Sequence, residues 1–224
     1  MVDRTERPLM PSDPNASRAG VIIAGGFSKR FGDADKAVAT LGGTPLIRRV
    51  ADRLTTVTDD LVVNCRREQV PAIRTALESA AFDPTFAVDP TPDLGPVAGI
   101  LTGLEATDAP VTAVVACDMP FVDPAVLGLL FDRLDGHGGP DRLEAVVPRL
   151  EDGWYQTTQA VYRTDAMATA CRAALEADET KLLAPLDRLE WMVVDEETIR
   201  EHGSLESFES IDTRADLDAA VRRL

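Results

Sequence analysis

Short apolar runs recur along this chain, and the segments between them carry apolar residues at helical spacing. The run Gly20-Val21-Ile22-Ile23-Ala24 leads into Gly25-Gly26 and predicts a buried parallel strand feeding a glycine loop, since unbroken β-branched runs suit strands covered on both faces. Further strands are predicted over 60–64, 85–88, 111–116, 144–148, 159–162 and 191–194. Helices are predicted from Pro45 at a first-turn position, with Leu46, Ile47, Val50 and Leu54 on one face, and over 70–80, 97–106, 124–134, 165–177 and 213–223. Strands alternating with helices predict an α/β fold, a Rossmann-like three-layer α/β/α domain around a mostly parallel sheet. In such sheets ligands sit at the carboxyl ends of the strands, so the residues just after each strand carry the functional reading.

A hydrophobic content of 45% over 224 residues, with no Pro/Gly/Ser-rich linker, suits one domain spanning 18–224. Residues 1–17 are polar, hold Pro8, Pro11 and Pro14 and show no periodicity, so they read as a disordered lead-in. The longest apolar runs, such as 111–117, fall far short of the roughly 20 residues that span a bilayer, and the first residues lack an apolar signal core. No membrane partner is expected, and a cytoplasmic location is.

The formal net charge of -15 argues against an electrostatic grip on nucleic acid, so none is expected as a partner. Lysine occurs only at Lys29, Lys36 and Lys181; a surface rich in Asp and Glu and poor in Lys is similar to that of proteins from salt-accumulating halophiles. Any site for a phosphorylated ligand must therefore concentrate a few cations locally. Cys65, Cys117 and Cys171 form no CxxC pair, which points to neither a disulfide framework nor a zinc site. His137 and His202 fall in loop-like or helix-end contexts and read as surface histidines, leaving little material for a His-based triad.

The loop after the first strand, 24–36, has neither P-loop nor GxGxxG spacing. It offers consecutive glycines whose N–H groups can approach a phosphate closely, with Lys29, Arg30 and Lys36 in the same stretch. The plainer alternative is a strand-to-helix turn carrying solvated charges. Asp118 follows the strand over 111–116, where a carboxylate facing phosphates makes sense with a hard cation such as Mg²⁺ between them; the plainer alternative is a turn cap. Asp89 ends the strand over 85–88 and precedes a turn-rich segment with Gly95, Pro96 and Gly99, whose glycines permit close approach of a flat ring. Asn64 ends the strand before it, with an amide that can both donate and accept.

The pattern Ala24-Gly25-Gly26-x-Ser28-x-Arg30-x-Gly32-x-x-Asp35-Lys36, followed by Gly95-Pro96-Val97-Ala98-Gly99-Ile100 and Cys117-Asp118-Met119-Pro120-Phe121, resembles the molybdenum cofactor guanylyltransferase family in order over 19–224. The resemblance implies the nucleotide-diphospho-sugar transferase type of fold and transfer of GMP from GTP to molybdenum-molybdopterin. It also implies that Ile23, Ala24, Gly25, Gly26, Gly95 and Pro96 hold the nucleotide, that Lys36 contacts its phosphates, and that Asn64 and Asp89 lie in the guanosine site; charge neutralisation in the reaction is expected from Mg²⁺, Lys36 and Arg30. Asp118 is implied to bind both nucleotide and Mg²⁺. Partners implied are GTP, molybdenum-molybdopterin and, transiently, molybdoenzymes or cofactor-delivery proteins. Near the end the chain departs from the family's Asn-x-Asn-Thr-Pro: it reads Ser210-Ile211-Asp212-Thr213-Arg214, where Asp212 keeps an oxygen for a metal and Ser210 loses an amide. Phe27 and Phe31 stand where more polar or flexible residues are common and read as packing changes. Competing readings are another small-molecule nucleotidyltransferase, such as a molybdopterin cytidylyltransferase or a cobamide-precursor guanylyltransferase, and a nucleotide-binding module without chemistry.

Overall fold

The computed structural model describes residues 17–26, 31, 35–78, 82–91, 94–136 and 142–224. The expected lead-in, Ser17 excepted, lies outside these residues, as do Lys29, Arg30, Phe27 and His137. In chain order the strands are β1 (Arg18–Ile23), β2 (Thr40–Leu41), β3 (Thr44–Pro45), β4 (Asp60–Cys65), β5 (Thr85–Val88), β6 (Val111–Ala116), β7 (Ala145–Arg149), β8 (Gln159–Arg163) and β9 (Trp191–Asp195). The helices are α1 (Leu46–Leu54), α2 (Val70–Leu77), α3 (Pro96–Leu104), α4 (Pro124–Asp135), α5 (Thr164–Glu176), α6 (Glu196–His202) and α7 (Arg214–Val221).

Seven strands make one sheet in the order β5-β4-β1-β6-β8-β7-β9, and β2 and β3 pair as a separate hairpin. The first four lie parallel, with Val21 level with Val62 on one side and Val114 on the other. β8 runs antiparallel to both β6 and β7, while β7 and β9 are parallel, so the sheet is mostly parallel with one reversed strand. Alternate residues of β1 feed opposite faces, as the two-residue period of a strand requires. Ile22 packs with Ile47 and Val50 of α1, Ile73 of α2 and Leu127 and Leu130 of α4. Val21 packs with Val97 and Ile100 of α3 and with Met167 and Cys171 of α5. These two cores on either side of one sheet are the three layers.

Pro45 differs from expectation. It closes the β2–β3 hairpin opposite Thr40 instead of entering the first helical turn, and α1 starts one residue later. Having no N–H, Pro45 leaves the Leu46 N–H to bond the Ala39 carbonyl at 2.9 Å, which fixes where the helix begins. α6 was not foreshadowed, because it is charged on most of its surface and buries only Ile199 and Glu196. A third, smaller core joins Phe31, Leu41, Leu46, Ile211 and Ala220 and ties the hairpin and α7 to the edge of the sheet where the site lies.

The strand ends are tied to one another. The Ala24 N–H bonds the Asn64 carbonyl at 2.9 Å, the Cys117 N–H bonds the Ile23 carbonyl at 3.0 Å and the Asp89 N–H bonds the Cys65 carbonyl at 3.1 Å. The glycine loop, Asn64, Asp89 and Asp118 thereby share one edge. Among the described residues no helix is long and apolar enough to cross a membrane.

Candidate active site

Lys36 opens a short 3₁₀ turn, Lys36–Val38, capped by Asp35, whose carboxylate accepts the Ala37 N–H at 3.1 Å. The cap stops this turn from continuing the loop and aims the Lys36 stem toward the end of β6. Its Nζ donates to Asp118 Oδ2 at 2.6 Å and to Asp212 Oδ1 at 3.0 Å. The Lys36 and Asp118 side chains are 13% and 20% exposed, whereas Asp212 is 43% exposed, so the first pair is the better shielded. Burial pulls the Lys36 pKa down, and Asp118 and Asp212 more than offset it, holding the ammonium above its ordinary range.

Asp212 arrives from a sequence distance of 176 residues. The Ile211 N–H bonds the Asp118 carbonyl at 2.8 Å, pinning the two aspartate segments backbone to backbone. Ser210 Oγ donates to the second Asp212 oxygen at 3.1 Å, so the serine that replaces the family's Asn supports the carboxylate next to it. Thr213 and Asp216 then form a capping box that starts α7. Two carboxylates converging on one cationic nitrogen form a hard-oxygen pair of the kind that holds Mg²⁺ together with phosphate oxygens and water, and the residues present fit that ion. No group of three or more His, Cys, Asp and Glu suited to a metal occurs among the described residues, so a phosphate ligand would have to complete the set.

On the same edge of the sheet lies a cavity of about 230 Å³ lined by Ile23, Gly25, Gly26, Asn64, Asp89, Gly95, Pro96 and Gly99, among others. Asn64 is fully buried; its Nδ2 donates to the Ala87 carbonyl at 3.2 Å and to Asp89 Oδ1 at 2.6 Å, and its Oδ1 has no hydrogen-bond partner among the described residues. A buried acceptor left without a donor is costly, and a ligand N–H is a natural remedy. Burial raises the Asp89 pKa, only partly offset by the Asn64 hydrogen bond and the Arg66 charge. Two glycines make the cavity possible. A Cβ on Gly25 would stand 2.6 Å from Asp89 Oδ2, and one on Gly99 would stand 2.7 Å from Asn64 Oδ1. Gly95, at φ 83°, begins α3 in a conformation that suits glycine.

The structure thus brings Ile23, Gly25, Gly26, Asn64, Asp89, Gly95 and Pro96 around the cavity and Lys36, Asp118 and Asp212 into one ion cluster. Ala24 lies behind the loop, almost fully buried, with its backbone committed to neighbours. The Arg30 expectation falls outside the described residues. Sequence reasoning missed Arg66 and Gln69, which follow β4 and grip the glycine loop from behind. Their signal was only their closeness to Asn64 in the chain, and a charged stretch after a strand normally reads as solvated surface. A larger hollow of about 610 Å³ opens at the other edge of the sheet, but Asp59, Asp60, Asp83 and Asp108 line it without a lysine or arginine, which would repel a triphosphate.

Comparison with known proteins identifies the family and the fold. Residues 20–190 match the MobA-like NTP transferase domain. A "Probable molybdenum cofactor guanylyltransferase" of Natronomonas pharaonis is 52% identical over 207 residues, covering 92% of this chain and 98% of that protein. Its namesake in Haloferax mediterranei is 36% identical and covers 100% of both chains. Among solved structures, molybdopterin-guanine dinucleotide biosynthesis protein A from Archaeoglobus fulgidus superposes with a TM-score of 0.73 at 27% identity, over 92% of this chain and 97% of that one.

Proposed function

This chain belongs to the MobA-like NTP transferase family and is a nucleotidyltransferase, and from that premise we propose that it transfers GMP from GTP to molybdenum-molybdopterin, releasing pyrophosphate. The observation that carries the proposal is the meeting of Lys36, from the glycine loop, with Asp118, from the end of β6, at 2.6 Å on the sheet edge that also holds a glycine-walled cavity.

In the reaction a terminal phosphate oxygen of molybdopterin attacks the α-phosphorus of GTP in line. The bond from that phosphorus to the bridging oxygen breaks, and pyrophosphate leaves with the electron pair. The nucleophile is already anionic, so the site needs no strong base, and the described residues that line the cavity and form the ion cluster include no His. The chain's contribution is positioning and charge neutralisation. Gly25 and Gly26 let the triphosphate approach the backbone, and the Lys36 ammonium, on a flexible stem, stabilises charge on the phosphates. Asp118 and Asp212 would hold Mg²⁺, which when bound neutralises charge on the triphosphate and the departing pyrophosphate. Arg30 is proposed as an additional cation.

Guanine is favoured by the acceptors in the cavity. Asp89 Oδ2 and Asn64 Oδ1 lie within 3.4 Å of one point beside Gly25. Adjacent acceptors suit the adjacent N–H donors of guanine's N1 and N2, whereas cytosine presents one donor beside two acceptors. With GTP as donor, the reading places the reaction in the cytoplasm. The test is pyrophosphate release with Mg²⁺ and molybdopterin, offered GTP, CTP or ATP singly at molar KCl. Release with GTP alone supports the proposal; release with CTP instead makes the enzyme a cytidylyltransferase, and nucleotide binding without release under any condition makes it a binding module.

A further inference from the structure

The glycine loop does not hold its own shape. Behind it, Gln69 is 97% buried at the end of a 3₁₀ turn, and both N–H groups and the oxygen of its amide are hydrogen-bonded. Its Oε1 accepts the Arg66 N–H at 2.9 Å, while Nε2 donates to the Ala24 carbonyl at 3.0 Å and to Asp35 Oδ2 at 2.9 Å. One amide therefore touches the first residue of the loop and the residue that caps the Lys36 turn. Arg66, its side chain 13% exposed, places Nη1 against the Gly25 carbonyl at 2.6 Å and the Gly26 carbonyl at 2.9 Å, and Nε against Glu68 at 2.7 Å. Three consecutive carbonyls, of Ala24, Gly25 and Gly26, are thus held by two side chains three positions apart in the chain.

A trans peptide points its C=O and the following N–H in opposite directions, and the unit is rigid. All peptide bonds described here are trans. Fixing the Ala24 and Gly25 carbonyls toward Gln69 and Arg66 therefore fixes the Gly25 and Gly26 N–H groups in the opposite direction, and both glycines line the cavity. Glycine, with the freest backbone of any residue, would otherwise sample many orientations of those amides, and each ordering event would weaken ligand binding.

We propose that Arg66 and Gln69 are positioning residues for the reaction: together they close the nucleotide loop, present the Gly25 and Gly26 amides to the triphosphate, and lock the Asp35 cap that directs Lys36. Neither residue need touch the nucleotide. The proposal rests on the functional reading above only for the identity of the ligand.

Two variants separate this role from mere support. Gln69→Glu preserves shape and removes both donors, setting a carboxylate against the Ala24 carbonyl and the Asp35 carboxylate. Arg66→Lys preserves charge but loses the rigid guanidinium, whose Nη1 reaches both carbonyls while its Nε is held by Glu68. Each variant should weaken GTP binding, measured by calorimetry on the full chain, by about tenfold to a hundredfold, the effect of losing one or two charge-assisted hydrogen bonds. The KM for molybdopterin should stay at the wild-type value, because the clamp acts on the loop that the functional reading gives to the nucleotide. The double variant should lose less than the two single losses combined, since both act on one loop. Arg172→Ala, which removes an exposed partner of Glu105, should leave GTP affinity unchanged.

Amide exchange on the protein without nucleotide gives an independent readout: Gly25, Gly26 and Ala37 should exchange faster in both variants while the strands keep wild-type protection. If Gln69→Glu does not fold, Arg66→Lys carries the same test alone, since its head group is at the surface of the loop. Unaltered GTP affinity together with unaltered exchange at these amides would overturn the proposal, as would an equal loss in acceptor KM. A wild-type protein that binds another nucleotide in place of GTP would defeat the functional reading while leaving the exchange test of this clamp intact.

Discussion

Replacing Asp118 by Asn removes one of two carboxylates that converge on Lys36, and the structure sets how much should be lost. Unit charges about 4 Å apart attract by about 4 kcal/mol at the effective dielectric near a protein surface. Breaking a fully buried pair costs about 3–5 kcal/mol, and an exposed pair is worth about 0–1 kcal/mol. The Lys36–Asp118 pair, at 13% and 20% exposure, lies between these limits, and about 1–3 kcal/mol of stability should go. Asp212 is 43% exposed, so Asp212→Asn should cost no more than about 1 kcal/mol. For a chain of this length each kcal/mol lowers Tm by about 2–4 °C. Turnover should respond differently. If both carboxylates hold the ion, each variant loses about 10² to 10³ in kcat despite their unequal melting. Scanning calorimetry and pyrophosphate release, both in molar KCl, measure the two effects on the same preparations. The reasoning fails if Asp118→Asn keeps most of its turnover, or if Asp212→Asn melts below Asp118→Asn.

Other expectations follow from the same site. Because the native state holds the Lys36 proton more tightly than the unfolded chain, the resulting stability is complete below the unfolded value near 10.5 and fades as pH rises through the higher native value; alkaline melts of the wild type should show a loss that Lys36→Met lacks. Asp89 has the opposite consequence. Its raised pKa means that its ionised form burdens the fold, so stability contributed by its protonated form fades as pH rises from the ordinary carboxylate value through the native one, and Asp89→Asn should melt higher than wild type at neutral pH while binding GTP more weakly by calorimetry. Gly99→Ala would push a Cβ to 2.7 Å from Asn64 Oδ1 and should weaken GTP binding by about tenfold or more, with little change in the KM for molybdopterin. A net charge of -15 predicts that Tm climbs as KCl rises toward molar levels and screens the mutual repulsion, and a flat salt response would contradict that view of its surface.

Much of the fold was legible because buried parallel strands leave short runs rich in β-branched residues, as in Val111 to Val115, and because α1 sets Leu46, Ile47, Val50 and Leu54 on one face. Direction was not legible: Gln159 to Tyr162 reads as a strand whichever way it runs, and only pairing with β6 and β7 shows that it is reversed. A two-residue strand such as β2 has too few positions to show any period, and α6 hides its one buried apolar side chain among charges. Within the site, the residues after each strand could be read because the sheet itself brings strand ends together. The meeting of Lys36 with Asp212 could not be read from spacing, since long-range backbone pairing through Ile211 creates it. Arg66 and Gln69 escaped for a related reason: they act on carbonyls, which leave no mark in a side-chain pattern.

The most direct test of the central claim is a crystal structure of this protein with Mg²⁺ and a non-hydrolysable GTP analogue. The account predicts guanine in the cavity beside Asn64 and Asp89, the triphosphate along Gly25 and Gly26, and the ion on Asp118 and Asp212 with Lys36 turned to a phosphate oxygen. A nucleotide bound at any other edge of the sheet, or one whose phosphates reach the glycine loop but not Asp118, would contradict it.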